Sequence, residues 1–74
     1  MTLNELRFVV AVSKARNFRR AAEKCFVSQP ALSLAIQKLE EDLGVLIFER
    51  SRTDVSPTPI GEQIIVQQLN LDYL

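Results

Sequence analysis

The segment from Ser28 to Gly44 limits the possible folds of this chain more than any other part of the sequence. Its apolar residues recur at the spacing i, i+3, i+4, i+7 and i+11, which places them along one side of an α-helix. They are Leu32, Ala35, Ile36, Leu39 and Leu43. Ser28 is a favourable N-cap, Pro30 fits the first helical turn, and Gly44 is a favourable C-cap. The segment therefore predicts a helix with one buried stripe.

Two shorter segments before it predict two more helices. The capping box formed by Thr2 and Glu5, followed by apolar residues at near-helical spacing, predicts a first helix over residues 3–15. Asn17 is a favourable N-cap for a short second helix, from Phe18 to about Lys24 or Cys25. Only two residues separate this helix from Ser28. Two helices joined by such a short turn are typical of a helix-turn-helix motif.

The rest of the chain predicts a hairpin and a final helix. The apolar run at residues 45–49 predicts a strand, and residues 55–58 predict a returning strand that Pro57 confines to an edge. Thr58 or its neighbour is expected to cap the final helix, which has Pro59 at its start and runs to the end of the chain. Because apolar residues cover nearly all sides of this helix, it needs two partners, its own domain and a second copy.

The composition excludes several classes of protein. A chain of 74 residues forms at most one small domain, whose stability is marginal. With one cysteine and no histidine, neither an intrachain disulfide nor a zinc site is expected. The N-terminus has no basic segment followed by a long apolar run, so we expect no signal peptide, no membrane span and a cytoplasmic location. Small domains without cross-links often gain stability by dimerising.

The charges are distributed unevenly along the chain. The formal net charge is zero, which by itself argues against a nucleic-acid partner. However, residues 14–38 hold six basic residues and one acidic residue, whereas residues 39–74 hold two basic and seven acidic residues. A basic half attracts a polyanion, provided that the fold keeps its charges on one face.

The predicted third helix has a second face, opposite its buried stripe. Its residues are Gln29, Pro30, Ser33, Leu34 and Gln37. A glutamine can make two hydrogen bonds to an adenine edge, a serine can donate or accept, and small residues let a helix lie deep in the major groove. The acidic residues Glu40, Glu41 and Asp42 follow at the far end, where they would repel DNA. DNA binding by the N-terminal half of the helix is one interpretation, and an ordinary solvated face is the other.

Basic residues near this motif are candidates for phosphate contact. Arg19 and Arg20 begin the second helix, where they either contact phosphate or form a solvated surface. Arg50 and Arg52 flank the hairpin turn and could contact phosphate or the minor groove, although Arg50 could instead pair with nearby acids.

Nothing in the sequence supports catalysis. The acidic residues after position 39 form a run on a helix end, and there is no histidine base, glycine-rich phosphate loop or nucleophile elbow. Cys25 falls on the apolar face of the second helix and is expected in the core, with a redox role as the less favoured alternative. We therefore expect no enzyme, no cofactor and no metal site.

A long motif resembles a known family. It begins AAEKCFVSQPALS at residues 21–33 and ends TPIGE at residues 58–62. Between these segments it includes Ile36, Leu39, Glu40, Leu43, Gly44, Phe48 and Arg50. The motif resembles the N-terminal DNA-binding domain of LysR-type transcriptional regulators, and MTLNELRF at the start resembles the first helix of that family. Within the family, the chain looks most like the OxyR-type, peroxide-responsive branch.

The resemblance implies a mainly α fold, a winged helix-turn-helix followed by a long linker helix that dimerises. It implies that the third helix enters the major groove and that the wing lies against the minor groove. The implied base contacts are Gln29, Pro30 and Ser33, with variable contacts at Leu34 and Gln37. Contacts to the DNA backbone, or from the wing, are expected from Asn17, Arg19, Arg20, Ser28, Lys38, Arg50, Arg52 and Thr58.

The chain departs from the family pattern at three positions. Leu34 is apolar where a polar residue is common, so it contacts a thymine methyl group or nothing. Arg19 replaces a small residue and could add a phosphate contact. Pro57 stands in the second wing strand, where an apolar residue is usual, so the wing is expected to be irregular. Family members also continue into an effector-binding domain, so we expect this chain to be either a domain fragment or a truncated gene product, ending within the linker helix.

These patterns predict a sequence-specific DNA-binding domain at residues 1–58 and the start of a dimerisation helix at residues 59–74. Double-stranded DNA and a second copy are the expected partners, with a tetramer in a full-length protein and no small molecule. The predicted dimer contacts are Ile64, Val66, Leu69 and Tyr73. The alternative is a winged helix that only binds other proteins. DNA binding requires that Arg16, Arg19, Arg20 and Arg52 converge on the face that carries Gln29 and Ser33.

Overall fold

The structure is a computed structural model that describes the backbone of residues 1–51 and 54–73 and side chains as far as residue 68. The chain forms three helices, a two-stranded sheet and a fourth helix. In chain order these are α1 (Leu3–Ala15), α2 (Phe18–Cys25), α3 (Gln29–Leu43), β1 (Phe48–Arg50), β2 (Val55–Pro57) and α4 (Pro59–Tyr73). The predicted order of elements and the mainly α class are confirmed.

All three N-caps predicted for the first helices are present. Thr2 and Glu5 form a complete capping box, in which the Glu5 N–H donates to Thr2 Oγ1 at 3.1 Å and the Thr2 N–H donates to Glu5 Oε1 at 2.9 Å. Asn17 Oδ1 accepts from the Arg20 N–H at 2.9 Å, and Ser28 Oγ accepts from the Ala31 N–H at 3.2 Å. Each cap satisfies an N–H group that has no partner within its own helix.

Each of these helices ends in a left-handed residue. Gly44 ends α3 with φ 72°, as its position predicts, but Arg16 and Phe26 end α1 and α2 with φ 54° and 58°. This conformation costs a side-chain-bearing residue about 1–2 kcal/mol. At Phe26 it produces the tight turn of the helix-turn-helix, closed by a bond from the Val27 N–H to the Ala22 carbonyl at 3.1 Å.

The core lies between α1, α2 and α3 and extends to the hairpin and α4. It contains Val9, Val12, Ala21, Ala22, Leu32, Ile36, Leu39, Ile47, Phe48, Val55 and Ile65. The predicted stripe of α3 is confirmed at Leu32, Ile36 and Leu39, whereas Ala35 is half-buried. Leu43 was expected in this stripe and is 45% exposed, since it is the last residue of the helix and lies beyond the core.

The predicted strand at residues 45–49 begins only at Phe48. The reason is Glu40, whose Oε2 accepts from the Ile47 N–H at 2.8 Å and from the Phe48 N–H at 3.3 Å. A carboxylate of α3 thus takes the place of a neighbouring strand for these two backbone groups. β1 then pairs antiparallel with β2, with Phe48 opposite Pro57 and Arg50 opposite Val55. We call the hairpin formed by β1 and β2 the wing.

Thr58 connects the wing to α4. Its Oγ1 donates to the Leu46 carbonyl at 2.6 Å and accepts from the Gly61 N–H at 3.0 Å, so it caps α4 as predicted. Its own N–H donates to the Ile47 carbonyl at 2.8 Å. Among the helices that the structure describes, none has the length and apolar character that a membrane crossing requires.

Candidate nucleic-acid interface

The face of α3 opposite its buried stripe is open to solvent, as its periodicity predicts. Gln29, Pro30, Leu34 and Gln37 are exposed and Ser33 is half-buried. Leu34 is 53% exposed, so an apolar side chain lies among the amides and available for contact. Ser28 is exposed beside this face, and its hydroxyl is used as the cap of α3. The start of α3 therefore presents amide, hydroxyl and apolar groups together with the positive end of a helix dipole.

The start of α2 lies close to the start of α3 and to the wing. One shallow depression is lined by Arg16, Asn17, Phe18, Arg19, Gln29, Ser51, Asp54 and Val55. We call it the helix-start depression. It brings Arg16 and Arg19, two of the four arginines whose convergence the DNA-binding interpretation requires, together with Gln29. Arg52 lies outside the described residues.

The other predicted backbone contacts have different surroundings. Arg20 and Lys38 are exposed and do not line the helix-start depression. Asn17 lines it but uses its carbonyl oxygen as the cap of α2. Thr58 is 7% exposed and its hydroxyl is engaged in the two bonds that join the wing to α4.

A second groove separates α3 from the wing. It is lined by Gln37, Glu40, Leu46, Phe48, Glu49, Arg50, Ser51, Asp54 and Ser56. We call it the wing groove. It contains three acidic residues, Glu40, Glu49 and Asp54, and a single arginine, and it shares Ser51 and Asp54 with the helix-start depression. The two cavities therefore run along the same side of α3, one at its start and one at its middle.

An ion pair joins the C-cap residue of α1 to Asp54, which precedes β2 in the connection between the two strands of the wing. The Arg16 guanidinium binds the Asp54 carboxylate through two hydrogen bonds, of which Nε to Oδ1 measures 3.0 Å. The two side chains are 56% and 40% exposed, so the pair adds little stability. Its effect on the interface is electrostatic, because it neutralises one of the basic residues that the sequence assigned to the basic half.

Arg50 makes a different contact from those predicted. Its Cζ atom lies 4.6 Å from the centroid of the Phe18 ring. Among the described residues it forms no ion pair with an acidic side chain, which was the alternative considered from the sequence. The contact is a cation–π interaction between the wing and the first residue of α2.

Glu40 has a role that the sequence analysis missed. We expected it to belong to an acidic helix end that repels DNA, but it is 8% exposed and binds the backbone of residues 47 and 48. Its burial could have been predicted from its position, four residues after Ile36 and eight after Leu32, which places it on the buried stripe itself. Glu41 and Asp42 are exposed, as expected of the acidic end.

The predicted dimer contacts on α4 differ in exposure. Val66 is 55% exposed and Ile64 is half-buried, whereas their neighbour Ile65 is part of the core. The side chains of Leu69 and Tyr73 lie outside the described residues. A groove along the outer side of α4 is lined by Pro59, Glu62, Gln63, Val66 and Gln67.

No group of histidine, cysteine, aspartate or glutamate side chains suited to a metal ion occurs in the described part of the chain. Cys25 is a free, buried cysteine on the apolar face of α2, as expected. The chemistry of this surface therefore comes from hydrogen-bonding amides and hydroxyls, arginines and exposed apolar groups.

Comparison with known proteins gives consistent matches. The family model for bacterial regulatory helix-turn-helix proteins of the lysR family matches residues 3–62. The DNA-binding transcriptional dual regulator OxyR of Escherichia coli is 45% identical over 67 residues, which cover 90% of this chain and 22% of that protein. The chain thus spans about a fifth of the length of the curated relatives it matches.

Two solved structures contain a similar fold, one in a full-length protein and the other in a complex with DNA. A full-length OxyR variant from Pseudomonas aeruginosa matches with a TM-score of 0.86 and 54% identity, over 96% of this chain and 24% of that chain. The DNA-binding domain of BenM, solved in complex with benA site 1 DNA, matches with a TM-score of 0.84 and 42% identity, over 99% of this chain and 86% of that chain.

Proposed function

The chain belongs to the LysR family of bacterial regulatory helix-turn-helix proteins, and from this premise we propose that it binds double-stranded DNA sequence-specifically as a homodimer. The observation that carries the proposal is the meeting of α2, α3 and the wing at the helix-start depression. There Arg19 lies beside Gln29, the first residue of the solvent-facing side of α3, and Arg16 lines the same depression in its pair with Asp54. A helix whose exposed start lies beside an arginine is suited to the major groove.

In this proposal α3 supplies the base contacts. Gln29, Ser33 and Gln37 present amide and hydroxyl groups to base edges, and Pro30 packs against the bases. Leu34 contacts a thymine methyl group, since its exposed side chain has no hydrogen-bonding atom. Arg19, Arg20, Lys38 and Ser28 bind phosphates, and Arg52 serves the wing. Residues 1–58 form the DNA-binding unit and residues 59–74 begin the helix that dimerises.

The relatives support a role in transcription control instead of catalysis, since those with established names are transcriptional regulators. We place this activity in the bacterial cytoplasm, where chromosomal DNA lies. The operator is expected to be a pseudo-palindrome with half-sites about one helical turn apart, because two copies related by a two-fold axis present two α3 helices to one face of DNA.

The first experiment selects bound duplexes from a random pool at several salt concentrations and sequences them. An enriched inverted repeat together with a steep salt dependence supports specific binding by a dimer. Absence of binding at low salt would favour the alternative of a protein-binding winged helix, for which the zero net charge and the Arg16–Asp54 pair are the supporting observations.

Two variants separate base contact from phosphate contact on the selected site. Gln29→Ala is expected to weaken binding by about 1–3 kcal/mol and to relax the preference at one base position. Arg19→Ala is expected to weaken binding to all sequences and to reduce the slope of log K against log salt by about 0.9. Equal loss on random DNA for Gln29→Ala, or a loss confined to one base for Arg19→Ala, would reverse these assignments.

A further inference from the structure

The contact between Arg50 and Phe18 fixes the position of a cation that the proposed function leaves unassigned. The guanidinium carbon lies 4.6 Å from the ring centroid, within the range of a cation–π interaction. Phe18 is half-buried and packs against the core, so its ring is a fixed surface. Arg50 is exposed and would otherwise sample many rotamers. The ring therefore holds the guanidinium at one place beside α2.

That place is electrostatically unfavourable for a cation without a ligand. Phe18 is the first residue of α2, so the guanidinium lies at the positive end of the helix dipole. Arg19, the next residue, lines the same depression as Phe18 and adds a second positive charge, whereas Asp54, the acidic residue that lines both cavities, is already bound to Arg16. No acidic partner of Arg50 occurs among residues 1–51 and 54–68. An anion bound between these groups would remove the repulsion.

The guanidinium also lies between the two cavities that border α3. Phe18 lines the helix-start depression with Gln29, whereas Arg50 lines the wing groove with Gln37. Arg50 therefore belongs to the groove beside the middle of α3, and its guanidinium lies on a ring that belongs to the depression at the start of α3. A DNA strand that borders the major groove occupied by α3 would pass along these two cavities.

We infer that Arg50 binds a DNA phosphate at the edge of the major groove, and that Phe18 is the positioning residue that holds its guanidinium for this contact. One face of the planar group packs on the ring, and its edge N–H groups remain directed outward for two parallel bonds to phosphate oxygens. Arg50 thus acts with α2 and not in the minor groove. The inference rests on the proposed DNA binding and assigns one of its contacts.

The test is a double-mutant cycle on the 74-residue chain with the duplex selected from the random pool. Arg50→Gln is expected to weaken binding about tenfold at low salt and to reduce the salt slope by about 0.9, the value for one phosphate. Phe18→Leu keeps an apolar side chain but removes the ring. It is expected to weaken binding about two- to fivefold when Arg50 is present, and not at all in the Arg50→Gln background.

The chain offers a matched control pair. The Arg7 Cζ atom lies 5.6 Å from the centroid of the Phe8 ring, on α1, and Arg7 lines neither the helix-start depression nor the wing groove. Arg7→Gln and Phe8→Leu are expected to leave the salt slope unchanged and to show no coupling in DNA binding. A slope change in Arg7→Gln equal to that of Arg50→Gln would overturn the assignment, because it would reflect net charge alone.

Further outcomes decide the inference independently of folding. Additive effects of Phe18→Leu and Arg50→Gln, or an unchanged slope in Arg50→Gln, would overturn it while leaving the proposed function in place. Failure of the unmodified chain to bind DNA would instead remove the proposed function.

Circular dichroism checks that each variant is folded. If Phe18→Leu unfolds, Phe18→Met takes its place in the cycle, since methionine is apolar and flexible but has no ring: coupling with Arg50→Gln supports the positioning role and additivity refutes it.

Discussion

Gly61 shows how a single residue sets the approach of two elements. It lies in the first turn of α4, where an added Cβ atom would lie 2.2 Å from the carbonyl oxygen of Ile47 and 2.9 Å from the carbonyl carbon of the same residue. Both are backbone atoms, so α4 or the link before the wing would have to move. Gly61→Ala is therefore expected to lower the free energy of unfolding by about 3 kcal/mol, measured by chemical denaturation.

Gly44 is the control for this prediction. A Cβ atom there would meet no atom within 4 Å, but its φ of +72° strains any side chain. Gly44→Ala is expected to cost only about 1 kcal/mol. If Gly61→Ala and Gly44→Ala lower the free energy of unfolding equally, the close approach of α4 to Ile47 is not the cause of the loss in Gly61→Ala.

The capping box of α1 gives a prediction about pH. The Thr2 backbone N–H, and secondarily its hydroxyl, stabilise the charged carboxylate and lower the pKa of Glu5 below its ordinary value of 4.5. Since the folded pKa is depressed, the stabilisation is present above the unfolded pKa and is lost as the pH falls through the folded pKa. Thr2→Pro removes both donors, and proline suits the φ of −77° at this position.

An NMR titration of the Glu5 carboxyl tests this prediction. The pKa is expected to rise toward 4.5 in Thr2→Pro and to rise only in part in Thr2→Ala, which keeps the backbone N–H. An unchanged Glu5 pKa in Thr2→Pro would mean that another group lowers it.

Local elements were predictable from the sequence because their signals lie within a few residues. The caps at Thr2, Asn17 and Ser28 each involve groups three residues apart, and the periodicity of α3 located its solvent-facing side. The contacts between elements were not predictable. Two pairs of contacting residues are far apart in sequence, Arg16 with Asp54 and Phe18 with Arg50. They meet only because the wing folds back onto α2. The late start of β1 was not predictable for the same reason, because it results from a contact between elements, the bonds from Glu40 of α3 to the backbone of residues 47 and 48.

The connection between α3 and the wing depends on Glu40. Its buried carboxylate accepts from two backbone N–H groups, at 2.8 and 3.3 Å. Glu40→Ala leaves both N–H groups buried without this partner, and we expect it to lower the free energy of unfolding by about 3 kcal/mol. Glu40→Gln keeps one acceptor oxygen and is expected to cost less. Chemical denaturation measures both.

Glu41 provides the matched control, since it is the adjacent acid on α3 and is exposed. Glu41→Ala is expected to change the free energy of unfolding by no more than about 0.5 kcal/mol. A cost equal to that of Glu40→Ala would show that the loss of any acid near the end of α3 is sufficient, and that the bonds to the wing are not the cause.

At the scale of the whole molecule, folding reduces the charge separation along the sequence. Asp54 comes from the acidic half and pairs with Arg16 of the basic half, and Glu40 is buried. The remaining cation at the helix-start depression, Arg19, and the start of α3 form the side that we propose for DNA. The side that we propose for a second copy lies on α4, where Val66 is exposed and lines a groove that contains none of these residues.

This separation predicts that dimerisation can be removed without unfolding the domain. Val66 is 55% exposed on α4 and lies beside Ile65, which packs in the core, so Val66→Glu places a charge on the outer side only. Burying that charge in a dimer would be costly, and we expect dimer affinity to fall at least about tenfold, measured by sedimentation equilibrium. Leu46→Glu is the control: Leu46 is 63% exposed near the wing, and its replacement is expected to leave dimerisation unchanged. Equal dimerisation in Val66→Glu and the unmodified chain would exclude this side of α4 as the interface.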